Sequence, residues 1–306
     1  MPYMLVSLVG AVELGLLYAL MALGVYITFR ILDFPDLTVD GSFTTGAAIG
    51  TVMTIAGTPP WLAVIFAFFG GAAAGTLTGL LHTKGKVNGL LSGIIMMIAL
   101  YSINLRILGK PNVPLRGEAN VFDGASVLVI GLILAVVAKV GLDMFFKTNM
   151  GLSLRATGDN SRMIRSFGAN TDITIIMGVA LSNALVACSG ALIAHSQNAA
   201  NNSMGIGMIV IGLASVIIGE AIFGAKTIFR ATLAVVLGAI IYRIIYALAL
   251  RVEWLDAQDM KLITAVIIVC ALVVPTVRRA VKSKSTAKKR TEEVLASMGQ
   301  SGGGGR

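Results

Sequence analysis

Charge is scarce in this sequence. Of its 306 residues 13% are charged and 56% hydrophobic, and the mean hydropathy is +0.87. A soluble domain carries roughly 25% charged residues, so this supply cannot cover a water-facing surface. That excludes a soluble globular protein and calls for lipid as solvent. Nor is any polar stretch long enough to build a separate soluble domain.

The chemistry-bearing motifs are missing as well. Two cysteines and two histidines are present. Cys188 and Cys270 lie in apolar stretches without CxxC spacing, and read as small buried hydrophobes. There is no HExxH and no Cys/His ligand spacing, so no metal site is expected. The absence of G-x-x-x-x-G-K-[ST] means that the chain does not itself hydrolyse ATP by that route. No TVGYG-type filter and no catalytic constellation appear. The sequence implies no enzyme and no cofactor on this chain. Its apolar start lacks a charged n-region and reads as a first span rather than a removed signal.

What is present is a series of apolar runs at 5–29, 43–83, 87–108, 125–146, 173–196, 205–225, 227–250 and 262–277. A span needs about 20 predominantly apolar residues. Gly57-Thr58-Pro59-Pro60 divides the second run in two. The expectation is an all-α, polytopic membrane helix bundle of about nine transmembrane helices. Residues 1–280 form the membrane domain and 281–306 a basic tail ending in a glycine-rich linker, 301–306.

The net charge of +9 does not point to nucleic acid, because of where the cations sit. Arg30, Lys84, Lys86, Lys147, Arg155, Arg162, Arg165, Lys226, Arg230 and the tail from Arg278 to Arg290 fall in alternate loops. Only Lys110, Arg116, Arg251 and Lys261 fall clearly on the other side. By the positive-inside rule the first group is cytoplasmic, with the N-terminus out and the C-terminus in.

Four features could carry function. The segment FPDLTVDGSF at 34–43 brings Asp36, Thr38, Asp40 and Ser42 to the entry of a span. Pro35 and Gly41 disfavour regular helix there. Irregular backbone at membrane depth is tolerated where it is buried or lines a wet cavity. The segment is a pathway site or a turn with capping residues, and Asn88 and Ser92 are candidate partners across the bundle. Asp36 and Asp40 would alternatively serve an ion-coupled secondary transporter. A scaffold without a pathway is the third class.

The second feature is the basic connection around 150–168, which suits two short amphipathic helices broken at Gly158-Asp159-Asn160. It fits either a groove on a soluble partner or the lipid surface. The third is the set of ionisable groups inside spans: Glu13, Lys139, Glu220 and Arg243, with His82 and His195 near span ends. Lys139 is expected to snorkel inward and Arg243 outward, or Arg243 to bind a carboxylate between Tyr242 and Tyr246. Glu220 is expected to pair with Lys226 or Arg230. The fourth is an amide-rich run with Gln197, Asn198, Asn201 and Asn202, either an outer loop or the lining of a vestibule. Gly71, Gly75 and Gly79 form a small-xxx-small ribbon for helix packing.

The loop RATGDNSRMIRSFGANTD (155–172) followed by IIGEAIFG (217–224) resembles the membrane subunits of ABC importers, of the branched-chain amino acid permease type. FRILDFPDLTVDGSFTTGA (29–47) and LYSINLRILG (100–109) are similar to a sister group linked to tryptophan and tyrosine uptake. The resemblance extends to about Arg279. It implies that Arg155, Ala156, Thr157, Gly158, Asn160, Arg165 and Gly168 belong to a coupling helix that docks on an ABC ATPase subunit. ATP and Mg would be bound by that partner. It also implies a second permease copy, an extracytoplasmic binding protein, an amino-acid ligand (aromatic before branched-chain) and a place in the bacterial inner membrane. Glu220 stands where branched-chain permeases more often have glycine, and 36–42 departs from their asparagine-centred version. Both departures point away from branched-chain substrates.

Overall fold

A computed structural model describes residues 2–249 except Arg116, together with Leu262, Ala265, Val266, Val269 and Val273; for residues 2–6 only the backbone is described. Nine α-helices follow one another along the described chain. They are α1 (Pro2–Val25), α2 (Thr38–Ile55), α3 (Pro60–Thr83), α4 (Gly89–Leu108), α5 (Val127–Phe145), α6 (Asn149–Ser166), α7 (Thr171–Gln197), α8 (Met208–Phe223) and α9 (Ile228–Ala249). Six segments are long and apolar enough to cross a membrane: Ser7–Ile31, α3, α4, α5, α7 and α9. The other three are α2, with 18 residues, the shorter apolar α8 and the polar α6. The ninth expected span, 262–277, falls largely outside the described residues.

The breaks lie where local chemistry requires them. Gly57 takes φ +87° after α2, and Pro60 starts α3, where a missing N–H costs nothing. Asn88 caps α4 through Leu90 N at 3.0 Å, and Gly109, at φ +69°, ends it. α1 runs into a π-helical turn, Tyr26–Ile31, before the chain turns into α2. The expected irregular backbone around Gly41 is not found, because α2 begins at Thr38 and runs through it. The glycine serves packing instead, since a Cβ there would lie 2.8 Å from Leu100 Cδ1 of α4. Outside the helices, Asn112–Pro114 (β1) pairs antiparallel with Ala199–Asn201 (β2). This small ribbon places the amide-rich run against the α4–α5 connection, a departure from a purely helical chain.

α7 is the central strut, packing against α1, α2, α3 and α6. The α3 glycine ribbon faces it. A Cβ at Gly79 would meet Ile176 Cα at 2.8 Å, and Cβ atoms at Gly71 and Gly75 would collide with α7 backbone. On the α2 side the fit is reciprocal, with Gly46 against Ala187 and Gly190 against Phe43. Lipid tails are as apolar as leucine, so backbone-close van der Waals contact is what holds such helices together.

Two of the charges expected inside spans, Lys139 and Glu220, are paired. Lys139 is 7% exposed and bonds Asp143 one turn on, its ammonium 3.1 Å from the centre of the Phe229 ring. Asp143 also accepts from Thr232 Oγ1 at 2.7 Å, tying α5 to α9. The expectation that Lys139 reaches the interface is therefore corrected. Glu220 pairs with Arg30 at 3.1 Å, not with Lys226 or Arg230. Arg243 lies over the Tyr18 ring at 3.7 Å.

The buried Lys139–Asp143 pair generates a stability prediction. Asp143→Ala leaves an uncompensated buried ammonium and should destabilise by about 3–5 kcal/mol. The double change Lys139→Met/Asp143→Leu should recover most of that loss, read as the unfolding midpoint of the detergent-solubilised protein. Equal loss in single and double variants would show that packing, not charge, governs the site.

Candidate functional site

The segment 34–43 lies at the meeting point of α2, α3, α7 and α8. Asp36, 2% exposed, precedes α2, and its Oδ1 accepts from Thr38 N at 2.9 Å. Its Oδ2 accepts from Asn183 Nδ2 of α7 at 2.6 Å. Thr38 and Thr78 share a hydroxyl contact of 2.8 Å that ties α2 to α3. Asp40 faces a different neighbour. Its two oxygens accept from Gly207 N and Ile209 N, each at 2.8 Å, and so close the N-terminus of α8. Such a terminus presents unpaired N–H groups and a partial positive charge, which a carboxylate satisfies. Ser42 is fully buried, with no hydrogen-bond partner for its hydroxyl among the described residues. Asp36 and Asp40 thus each engage a separate helix rather than facing one shared ligand.

Two candidates on α4 have local partners. Asn88 caps the helix, and Ser92 Oγ donates to Asn88 O at 3.0 Å. Asn88 also borders a cavity of about 440 Å³ with Phe34, Pro35, Thr157, Gly158 and Arg162, on the side of the bundle that carries α6.

A second cavity, of about 370 Å³, opens between α2, α4 and the turn leading into α8. Of the sequence candidates Asp40 lines it, and so does Asn202 of the amide-rich run. The facing walls are built from Met97, Ile98, Tyr101, Asn104, Asn202 and Ile206. Asn104 donates to Gly41 O at 3.1 Å and Asn202 to Tyr101 O at 3.3 Å. The amide oxygens of both have no donor among the described residues. Sequence reasoning named Asn202 within the amide-rich run but missed Asn104. An asparagine inside an apolar span, as in LYSINLRILG, was the available signal, because a buried amide needs partners.

α6 has the expected break. Asn160 leaves the helical region at φ −159°, ψ 89°, and its side chain accepts from Met163 N at 3.0 Å, starting the second short helix. Gly151, Leu154 and Thr157 form its buried face. A Cβ at Gly158 would collide with Ile31 O, so this helix lies directly against the α1–α2 turn. Arg165 is engaged within the chain, its Nε donating to Thr171 Oγ1 at 2.6 Å and its Nη2 lying 3.4 Å from Asp172. Ala156 is half-buried, while Gly168 takes φ +84° in the turn after the helix. Leu152, Met163 and Phe167 are exposed, Phe167 at 78%.

Comparison with known proteins decides the assignment. The family model described as branched-chain amino acid transport system / permease component matches residues 7–272. The chain belongs to this family of ABC transporter permeases. A tyrosine transport system permease protein of Clostridioides difficile (strain R20291) is 42% identical, over 92% of this chain and 95% of that one. An uncharacterized protein of Rickettsia prowazekii (strain Madrid E) is 32% identical, over 87% and 96%. A probable branched-chain amino acid transport permease protein of Methanocaldococcus jannaschii is 25% identical, over 61% and 65%. The family resemblance read from the loop and span motifs is thereby borne out. As an ABC permease with six membrane-length helices among its described residues, the chain is an integral inner-membrane subunit that works with separate ATPase subunits.

The geometry at Asp40 sets a test. Asp40→Ala leaves two N–H groups of α8 without acceptors, at about 1–3 kcal/mol for a buried group. The apparent melting temperature should fall by several degrees, and Asp40→Asn, which keeps an acceptor oxygen, should fall less. Assembly with the ATPase should persist while substrate-stimulated ATP hydrolysis shifts. Unchanged melting and unchanged stimulation in Asp40→Ala would remove the residue from both roles.

Proposed function

We propose that this chain is the pathway-forming subunit of an ATP-driven importer for an aromatic amino acid. The observation that carries the substrate class is the 42% identity to a tyrosine transport system permease over 95% of that protein's length. The family match sets aside the ion-coupled and scaffold readings. In the working assembly two copies of the chain enclose the route, since one chain with no second permease beside it closes most simply as a homodimer. Each copy crosses the membrane with about nine spans, N-terminus out and C-terminus in, through residues 1–280. An extracytoplasmic binding protein delivers the ligand, and lipid covers the outward apolar faces.

The α6 region, 150–168, is the docking element for the ATPase. It combines exposed Met163 and Phe167, one turn apart, with the cations of Arg155 and Arg162. A helix with apolar anchors and a basic rim suits a groove on a soluble subunit. Because Arg165 already bonds Thr171 and Asp172, it orders the turn beneath the docking helix rather than projecting to a partner. ATP and Mg are held by the ATPase. Closing of the ATPase pair moves α6, and the contact of Gly158 with Ile31 passes that motion to the α1–α2 turn.

Co-purification with an ATPase, followed by reconstitution with a binding protein, should give ATP-dependent uptake of tyrosine or tryptophan in preference to leucine. Preferred uptake of leucine would overturn the substrate assignment. Phe167→Asp should leave folding intact, because the ring is exposed, and cut ATPase retention by at least roughly tenfold, the scale of an interface anchor. Full retention would detach α6 from its coupling role.

A further inference from the structure

The 370 Å³ cavity between α2, α4 and the turn into α8 carries one formal charge, that of Asp40, and among the described residues no cationic side chain lines it. Its other polar side chains are the Asn104 and Asn202 amides and the Thr44, Tyr101 and Ser102 hydroxyls. Asn104 is fully buried and Asn202 is 4% exposed. Each donates one amide N–H to a backbone carbonyl, which orients the group, and its Oδ1 has no donor among the described residues. A buried acceptor left unpaired is costly, so a site that retains two of them in one wall is built for a donor that arrives from outside. Asp40 adds the formal negative charge, and each of its oxygens keeps a lone pair beyond the bond from α8. The rest of the wall is mostly apolar and aromatic, with Met97, Ile98, Tyr101 and Ile206, beside the Thr44 and Ser102 hydroxyls.

We infer that this cavity is a substrate station that takes the α-ammonium group of an amino acid on Asp40, Asn104 and Asn202 and its aromatic ring against Tyr101 and the apolar wall. The inference rests on the amino-acid reading above and specifies which end of the ligand the permease recognises. An ammonium has three N–H donors and no acceptor, which suits the Asp40 carboxylate together with the two amide oxygens that have no donor among the described residues. A cation at membrane depth needs a fixed counter-charge, and Asp40 supplies one while itself anchored by α8. A ring offset against Tyr101 gains stacking beyond its buried area. The cavity volume lies within the range of small-molecule sites, roughly 300–1,000 Å³. With no cation in the wall, the substrate carboxylate is not gripped here and remains toward the open side.

The test is equilibrium binding of radiolabelled L-tyrosine to the detergent-solubilised permease–ATPase complex without binding protein. Two competitors separate the ends of the ligand. Tyramine keeps the ammonium and loses the carboxylate, whereas 3-(4-hydroxyphenyl)propionate does the reverse. Tyramine should compete, and the propionate should be at least roughly tenfold weaker, as expected for loss of a charged hydrogen-bonding group. Asn104→Leu and Asn202→Leu should each weaken tyrosine binding by a comparable factor. Since Asn104 also bonds α2, a second measurement uses Ile98→Cys, an exposed wall position, with Cys188 and Cys270 replaced by alanine. Tyrosine and tyramine should slow modification of the introduced thiol by a charged methanethiosulfonate, and the propionate should not. Equal competition by both analogues, absence of tyrosine binding up to millimolar concentration, or no protection of that thiol would each overturn the site. If the complete importer nevertheless transports tyrosine, only this site fails. If it transports no aromatic amino acid, the reading beneath it fails.

Discussion

A backbone group freed at membrane depth has no water to turn to, and the bundle depends on how that problem is solved where α2 and α8 begin. Two carboxylates four residues apart solve it in different directions. Asp36 accepts from the first N–H of α2 and from Asn183 on the central helix. Asp40 reaches across 167 residues of sequence to the N–H groups that open α8. Each bond satisfies a group that would otherwise cost several kcal/mol in hydrocarbon. Together they fix α2, α7 and α8 about one region, and the cavity opens where α2 and α8 begin, against α4.

Much of the fold was legible because hydropathy and helix punctuation are local. The Gly57–Pro60 break, the α3 glycine ribbon and the kink in the α6 loop follow from residue types that permit few conformations. The family could be read from motif order. The partners of Asp40 and Lys139 could not, because those contacts join elements far apart in sequence or depend on which face of a helix is buried. Lys139 illustrates the difference. Position alone suggested snorkelling, yet Asp143 lies one turn away and Thr232 faces it from α9, so pairing inside wins over reaching water. Asn104 escaped notice for the complementary reason, and Asn202 was legible only as part of a polar run. Either amide alone is an ordinary buried polar residue, and only the meeting of α4 with the turn before α8 brings both to one cavity.

The same geometry bears on how motion at α6 would reach the cavity. Gly158 abuts Ile31, and Leu154 and Leu32 converge on Gly178 of α7, so α6 and the α1–α2 turn share one packed surface. The chain on either side of that turn holds α8 at both ends, with Asp40 of α2 at its start and Arg30 of the π-helical turn on Glu220 in its last turn. The two attachments differ in strength. The Asp40 bonds are buried and charge-assisted, each about 1.5–3 kcal/mol. The Arg30 side chain is 58% exposed, and such surface pairs contribute at most about 1 kcal/mol. A displacement of the turn therefore breaks the Glu220 contact before it disturbs the Asp40 cap. α8 is thus held at its start by buried, charge-assisted bonds and in its last turn by a half-exposed pair.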